Sequence, residues 1–384
     1  MTAVGNTNPG WTPNEIGKIS KYLTEAMDEV LEAELKTARM TADPNIVEGS
    51  RQGKSIKLAT ARTSGAGNYS VSDGWPAGQG SLTWEEYTLA YDRGTSFLVD
   101  ALDSEMTSSL ASASVFANEF IRTKMVPEID AVRIARASSA AIVAENTEAG
   151  TLTSSNILGK IEDALDTVFT NTGKDSGRTI YVNSNLKSTL RKSTEFTRVK
   201  DVGNTGGKIA TSFEMIDDDY VVWVPPTRMY SSITLGTGYT KGANAENLNF
   251  LVCADKSAQG VVAYADMTVI PKGAHTRGNA DFFAYRIYHD CIIPKQQLGG
   301  IFVSTKAAIK YTLTYNKNSE SATGTMAAEE YTAMAEATLK DCAFELTGKE
   351  FTGWNTKADG TGTDYAAAAE VTMTDDLTLY AQWA

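Results

Sequence analysis

The residues that could do chemistry in this chain are few, and their spacing is wrong for it. The two histidines are His275 and His289. His289 lies in an alternating run, FFAYRIYHD, that reads as a strand, and a lone strand histidine there reads as structural rather than catalytic. The three cysteines, Cys253, Cys291 and Cys342, are far apart and odd in number, which suits a reducing compartment better than a disulfide framework. Histidine and cysteine together are too few, and wrongly spaced, for a tetrahedral zinc site. Gly203–Ile209 (GNTGGKI) is only superficially a phosphate loop. Val202 stands where the first glycine belongs, and Ile209 replaces the hydroxyl that would meet magnesium. Gly236–Gly242 (GTGYTKG) runs on into loop, so it lacks the helix N-terminus that binds anions. Asp217, Asp218 and Asp219 could attract a cation, but three aspartates before a strand read more simply as a solvated turn. No GxSxG elbow occurs. The expectation is a chain with no catalytic, cofactor-binding or metal-binding residues, and not an enzyme.

What the sequence does carry is apolar surface in need of cover. Ser55–Thr60 (SIKLAT) reads as a strand, followed by a stretch rich in glycine at positions 65, 67, 74, 78 and 80. Ser81–Tyr91 (SLTWEEYTLAY) then alternates, with Thr83, Glu85, Tyr87, Leu89 and Tyr91 on one side and Leu82 and Trp84 on the other. Together they predict a long two-stranded hairpin. Such a hairpin cannot bury a face by itself. Trp75, Trp84 and Tyr87 are large groups to leave in water. The hairpin is therefore expected to rest on another subunit; folding back on its own core is the alternative. Candidate inter-subunit contacts are Trp75, Trp84, Tyr87, Leu89 and Arg93.

Other segments supply the frame. Residues 12–40 predict an amphipathic helix, with Thr12 as N-cap, Pro13 in the first turn and Glu15 completing a capping box. Ile16, Ile19, Leu23, Met27, Val30 and Leu35 form its apolar side. It is either a surface helix or an arm that docks on a neighbour. Residues 100–145 predict a long helix with the stripe Ile121, Met125, Ile129 and Val132, broken or kinked at Pro127. Residues 151–200 alternate in type: a helix over 154–169, a strand over 178–182, a short helix over 183–192. Strands follow at 220–224, 248–253, 261–264, 267–270 and 282–293. Beyond about Thr305–Ile309 the composition shifts to Thr and Ala. There the patterns predict strands at 311–315, 351–354, 371–373 and 377–382, with a helix over 327–339. The fold class is α+β.

With 42% hydrophobic and 21% charged residues, the chain is globular in composition. No stretch approaches the roughly 20 apolar residues of a membrane helix, and the start, MTAVGNTNPGWTPNE, does not read as a secretory signal. Net charge is −12. Residues 310–384 hold five lysines against twelve carboxylates, a charge of −7 in the smaller part of the chain. A mildly acidic body argues against tight general binding to phosphate backbones, while leaving room for a locally basic face.

The order of elements, and the stretch GWPAGQGSLTWEEYTLAY (Gly74–Tyr91) running into DRGTSF (Asp92–Phe97), VDALD (Val99–Asp103) and EFIRTKMVPEIDAVR (Glu119–Arg133), resembles the major capsid protein of tailed bacteriophages. That fold is shared with encapsulins and the herpesvirus capsid floor. The resemblance covers about residues 10–305. It implies an N-terminal arm over 1–48, an E-loop hairpin over 49–98 that lies on the adjacent subunit, and P and A domains over 99–308. Within these, 105–145 would be the spine helix, 150–250 much of the A domain, and 248–303 the return to the P domain. It implies hexamers and pentamers of a shell, a portal, packaged DNA on the inner face without sequence specificity, and no membrane. Scaffolding, if used, would be a separate protein, since residues 1–48 alone precede the E-loop. The place is the virion, assembled in the host bacterial cytoplasm. One branch of the family carries a Lys–Asn crosslink; no matching residues stand out here, so it is not carried over.

Phe351–Trp383 (FTGWNTKADGTGTDYAAAAEVTMTDDLTLYAQW) resembles a different module, the internalin-type B-repeat of bacterial surface proteins, a β-grasp-like unit. It implies a decoration domain over 309–384, whose acidity suits the outer face of a shell. Two rival readings remain, an encapsulin-like nanocompartment and a bacterial cell-surface adhesion protein. Cargo would mark the first, a signal peptide and sorting tail the second.

Overall fold

A computed structural model describes residues 31, 33–42, 51–52, 54–65, 67, 75, 78–100, 118–173, 177–193, 215–216, 219–270 and 280–384. Residues 12–30 of the predicted N-terminal helix, residues 101–117 of the predicted 100–145 helix, His275, Asp217, Asp218 and the GNTGGKI segment lie outside them. The chain forms two compact units, one of residues 1–133 and 256–295, the other of 134–255 and 296–384.

The first unit is built on a three-stranded antiparallel sheet. Ala280–Ile292 lies between Gln259–Ile270 and Tyr91–Asp100. The two short strands expected at 261–264 and 267–270 are one, with a bulge between Val262 and Tyr264. Met267, Phe283, Tyr285 and Ile287 pack with Leu31, Leu35, Ile121, Met125, Val126 and Ile129. The stripe read for the long helix is thus a core stripe. Ahead of Pro127, residues Ile121–Met125 form a π turn, and the α-helix proper runs Val126–Val143. This π segment is a local irregularity of the helix just ahead of the proline, where a break or kink is expected.

Three charged residues of this helix, Glu128, Asp130 and Arg133, are buried. Asp130 accepts from the Thr37 amide (2.9 Å) and hydroxyl (2.7 Å). Arg133 donates to the Thr37 carbonyl (3.0 Å) and the Thr41 hydroxyl (3.1 Å). A Cβ on Gly260 would fall on the Arg133 guanidinium, so glycine is needed there for close approach.

The hairpin pairs Ser55–Thr63 with Gly80–Thr88 in antiparallel register, from Ser55 opposite Thr88 to Thr63 opposite Gly80. Its second strand is shorter than the alternation suggested. Strand pairing changes partner at Leu89–Ala90, and Tyr91–Asp100 joins the sheet of the body instead.

The second unit centres on a six-stranded mixed sheet. Its order is Thr147–Ala149, Ile301–Thr305, Leu248–Ala254, Arg178–Asn183, Asp219–Val224 and Met215–Ile216. Helix Ile157–Thr172 packs Ile157, Ile161, Leu165 and Val168 against Ile180, Val182, Phe250 and Val252. The expected helix–strand alternation holds here. Asp219 corrects the reading of a solvated aspartate turn. It opens its strand fully buried, with its carboxylate on the Arg178 guanidinium at 2.7 Å.

Residues 310–384 of this unit make a five-stranded sheet in the order Glu329–Thr332, Lys310–Asn316, Leu377–Trp383, Phe351–Asn355 and Asp364–Tyr365, plus a small pair, Glu336–Thr338 with Glu370–Thr372. Lys310–Asn316 and Leu377–Trp383 run parallel. The helix expected over 327–339 is absent; two strands stand there, joined through Met334 at positive φ.

Candidate assembly surface

The hairpin presents two unlike faces near its root. Ile56, Leu89 and the partly buried Leu58 and Tyr87 pack with Ala42, Val261, Ala263, Tyr288 and Ile292. The opposite face carries Leu82 and Trp84, each 61% exposed. Trp75, from the segment linking the strands, is 86% exposed. A β-ribbon whose two sides alternate in this way has one side anchored and one apolar side in water.

The five candidate contact residues therefore divide. Trp75 and Trp84 are exposed. Tyr87 is half-buried, and its hydroxyl donates to Glu85 and accepts from the Lys295 amide (3.4 Å). Burial, then the Glu85 hydrogen bond, push its phenol up to about 12. Leu89 is buried in the chain's own core. Arg93 forks onto both oxygens of Glu128 on the helix. Leu89 and Arg93 are thus engaged within the chain, and Leu82 is exposed on the same face as Trp84. The alternation of 81–91 already set Leu82 beside Trp84, which is the signal that identifies it.

The strand Tyr91–Asp100 exposes Leu98, and the strand Gln259–Ile270 exposes Tyr264. Asp92 and Arg286 form an exposed two-pronged pair, at 2.9 and 2.6 Å. The Arg286 hydrogen bond holds the Asp92 carboxyl below the usual range.

Among the described residues no group of three or more His, Cys, Asp or Glu is placed to hold a metal. No helix there is long and apolar enough to cross a membrane. Cys253 and Cys291 are buried.

In the C-terminal module the turn after Phe351–Asn355 is organised by one side chain. Asn355, fully buried, accepts from the amides of Lys357 (2.7 Å) and Gly362 (3.1 Å) and donates to Asp364 (2.7 Å) and the Gly360 carbonyl (3.2 Å). Gly360 sits at positive φ. That is why the motif NTKADGTG reads as a specific turn rather than generic loop.

Residues 311–382 match the family model of the Listeria–Bacteroides repeat domain. This agrees with the B-repeat resemblance of the tail. No curated protein matches the chain. Among solved structures the chain is similar to Gordonia phage Cozz, at 13% identity and a TM-score of 0.48, over 72% of this chain and 87% of that one. It is similar to Mycobacterium phage Che8, at 14% identity and a TM-score of 0.47, over 70% and 89%. It is also similar to the mature capsid of bacteriophage PhiM1, at 11% identity and a TM-score of 0.47, over 67% and 83%.

Proposed function

We propose that the chain is a structural protein of the phage major capsid fold that assembles into an icosahedral head shell around a genome, with a B-repeat-like module appended. Residues 1–48 serve as the arm, 49–98 as the E-loop with its joint to the body, 99–308 as the P and A domains, and 309–384 as the decoration. The observation that carries this reading is the hairpin, anchored at its root and apolar on its free side at Leu82 and Trp84. A second copy of the chain is the proposed cover for that side, since it is present at equal concentration in every cell that makes the protein. The sequence stretch Gly74–Phe97, where the capsid resemblance lies, is the same stretch. The acidic module suits the outer, solvent-facing side of the shell, away from DNA.

Negative-stain imaging of the purified chain tests it. Closed shells of uniform diameter are expected. A stable species of 41.3 kDa would overturn the reading. Shells that enclose a protein cargo instead of DNA in the natural host would move it to a nanocompartment.

A further inference from the structure

Two residues of one strand, Tyr288 and Asp290, clamp the hairpin root, and His289 lies between them. Leu89 and Ala90 join the hairpin to the strand Tyr91–Asp100. On one face, the Tyr288 hydroxyl donates to the Leu89 carbonyl (2.7 Å), and Asp290 accepts from the Ala90 amide (2.9 Å). On the other face lies His289, paired across the sheet with Tyr91 and Val262 and stacked on the Tyr91 ring at 5.9 Å. His289 is 1% exposed, and neither ring nitrogen has a hydrogen-bond partner among the described residues. Burying such a group without partners is costly, and a protein that retains it invites a functional explanation.

Two guanidinium groups act on His289. Arg93 stands on the strand Tyr91–Asp100 and Arg133 on the helix. The neighbouring carboxylates are engaged: Glu128 with Arg93, Asp130 with Thr37, Asp290 with the amides of Ala90 and Cys291. Tyr91 adds its phenol, and the strand Gln259–Ile270 offers apolar Val262 opposite the ring. Burial first, then Arg133 and Arg93, push the imidazole down to about 3.

We propose that His289 is an acid-operated latch on the hairpin root: neutral, it fills the space under the joint and holds Leu89–Ala90 in place; protonated, it cannot remain beside two guanidinium groups, and the joint opens. The open state exposes a histidine with an ordinary pKa of about 6.5 and so binds the proton more readily than the closed state. Closure is favoured above that pH and weakens steadily as pH falls from it toward 3. Between pH 7 and 5 the opening constant should rise about 25-fold, while ordinary carboxylates stay largely ionised. The latch does not depend on the shell reading, because every group in it belongs to one subunit.

Hydrogen exchange by mass spectrometry, corrected for the chemical rate, tests it on the intact protein in whatever assembly it forms. Peptides covering Leu89–Tyr91 and His289–Asp290 are compared at pH 7 and pH 5. Wild type should show the rise of about 25-fold, and His289→Gln and His289→Phe less than about 2-fold. Equal responses in wild type and a folded variant, or no response in wild type, overturn the latch. Exchange at the imidazole C2 of wild type is a second readout that needs no variant. His289 should stay neutral below pH 5, and titration near the ordinary value overturns the proposal even if neither variant folds.

Discussion

Asp219→Ala is expected to cost the second unit about 3–5 kcal/mol, the usual loss when one partner of a buried ion pair is removed. Asp219 is fully buried and its partner side chain is only 7% exposed. One carboxylate oxygen accepts from the Arg178 amide (2.9 Å), the other from its Nε (2.8 Å), and Arg178 Nη1 donates to the Leu165 carbonyl (3.0 Å). The pair sits where the parallel ladder of Arg178–Asn183 and Asp219–Val224 begins, and it ties that ladder to helix Ile157–Thr172. Truncation leaves a guanidinium in the core with its main acceptor gone. The double change Asp219→Ala with Arg178→Met should recover much of the loss, because no charge then remains buried. Hydrogen exchange of peptides from 178–183 and 219–224 measures both. A cost under about 1 kcal/mol for Asp219→Ala would show that the pair is not holding the sheet.

Trp354→Ala should have an effect of similar size, confined to the C-terminal module. Trp354 is fully buried, with Tyr315 and Phe351 at 4.9 Å and Phe344 at 6.2 Å between ring centroids. Its indole donates to the Lys340 carbonyl (3.0 Å). Truncation opens a cavity at about 3–5 kcal/mol and also orphans that carbonyl. A module of about 75 residues has little stability in reserve, so a loss of this size should leave a large fraction unfolded. Limited proteolysis should cut within 310–384 and leave the remainder intact. Trp383→Ala, at a half-buried edge beside Phe351, should cost less. Unchanged protease resistance in Trp354→Ala would contradict the assigned core.

Period alone exposed most of the frame. YVVWV, LNFLVCA and LTLYAQW are short, β-rich and bounded by turns, and they are strands. The stripe from Ile121 to Val132 survived because burial against a sheet demands it. The segment 327–339 was illegible for a physical reason. Its Ala, Glu and Met favour helix locally, but Tyr331 pairs with Tyr311 and Ala337 with Val371, and those long-range partners outweigh weak propensity. Asp219 was missed because a run of three like residues looks solvated; only the fold brings Arg178 to it. Of the candidate surface, the alternation of 81–91 distinguished the two sides of the hairpin. It could not tell that the strand stops at Thr88 and that Leu89 and Arg93 are engaged within the chain, since Leu89 is held by Tyr288, 199 positions away, and Arg93 by Glu128 on a separate helix. His289 looked merely structural, and its missing partners emerge only from the packed surroundings.

The claim that the hairpin drives assembly is tested most directly by cutting the hairpin short, with Trp84→Ser in the same chain, and weighing the product. Residues 62–81 are replaced by Asn-Gly, which closes Ala61 and Leu82 as a two-residue hairpin turn across an existing pair. Sedimentation velocity is then compared between this variant and wild type, with hydrogen exchange confirming that the body sheet is intact. Wild type should sediment as megadalton particles and the shortened chain as small, folded species. A shortened chain that forms the same particles, or a wild-type chain that stays monomeric with its hairpin whole, would contradict the shell.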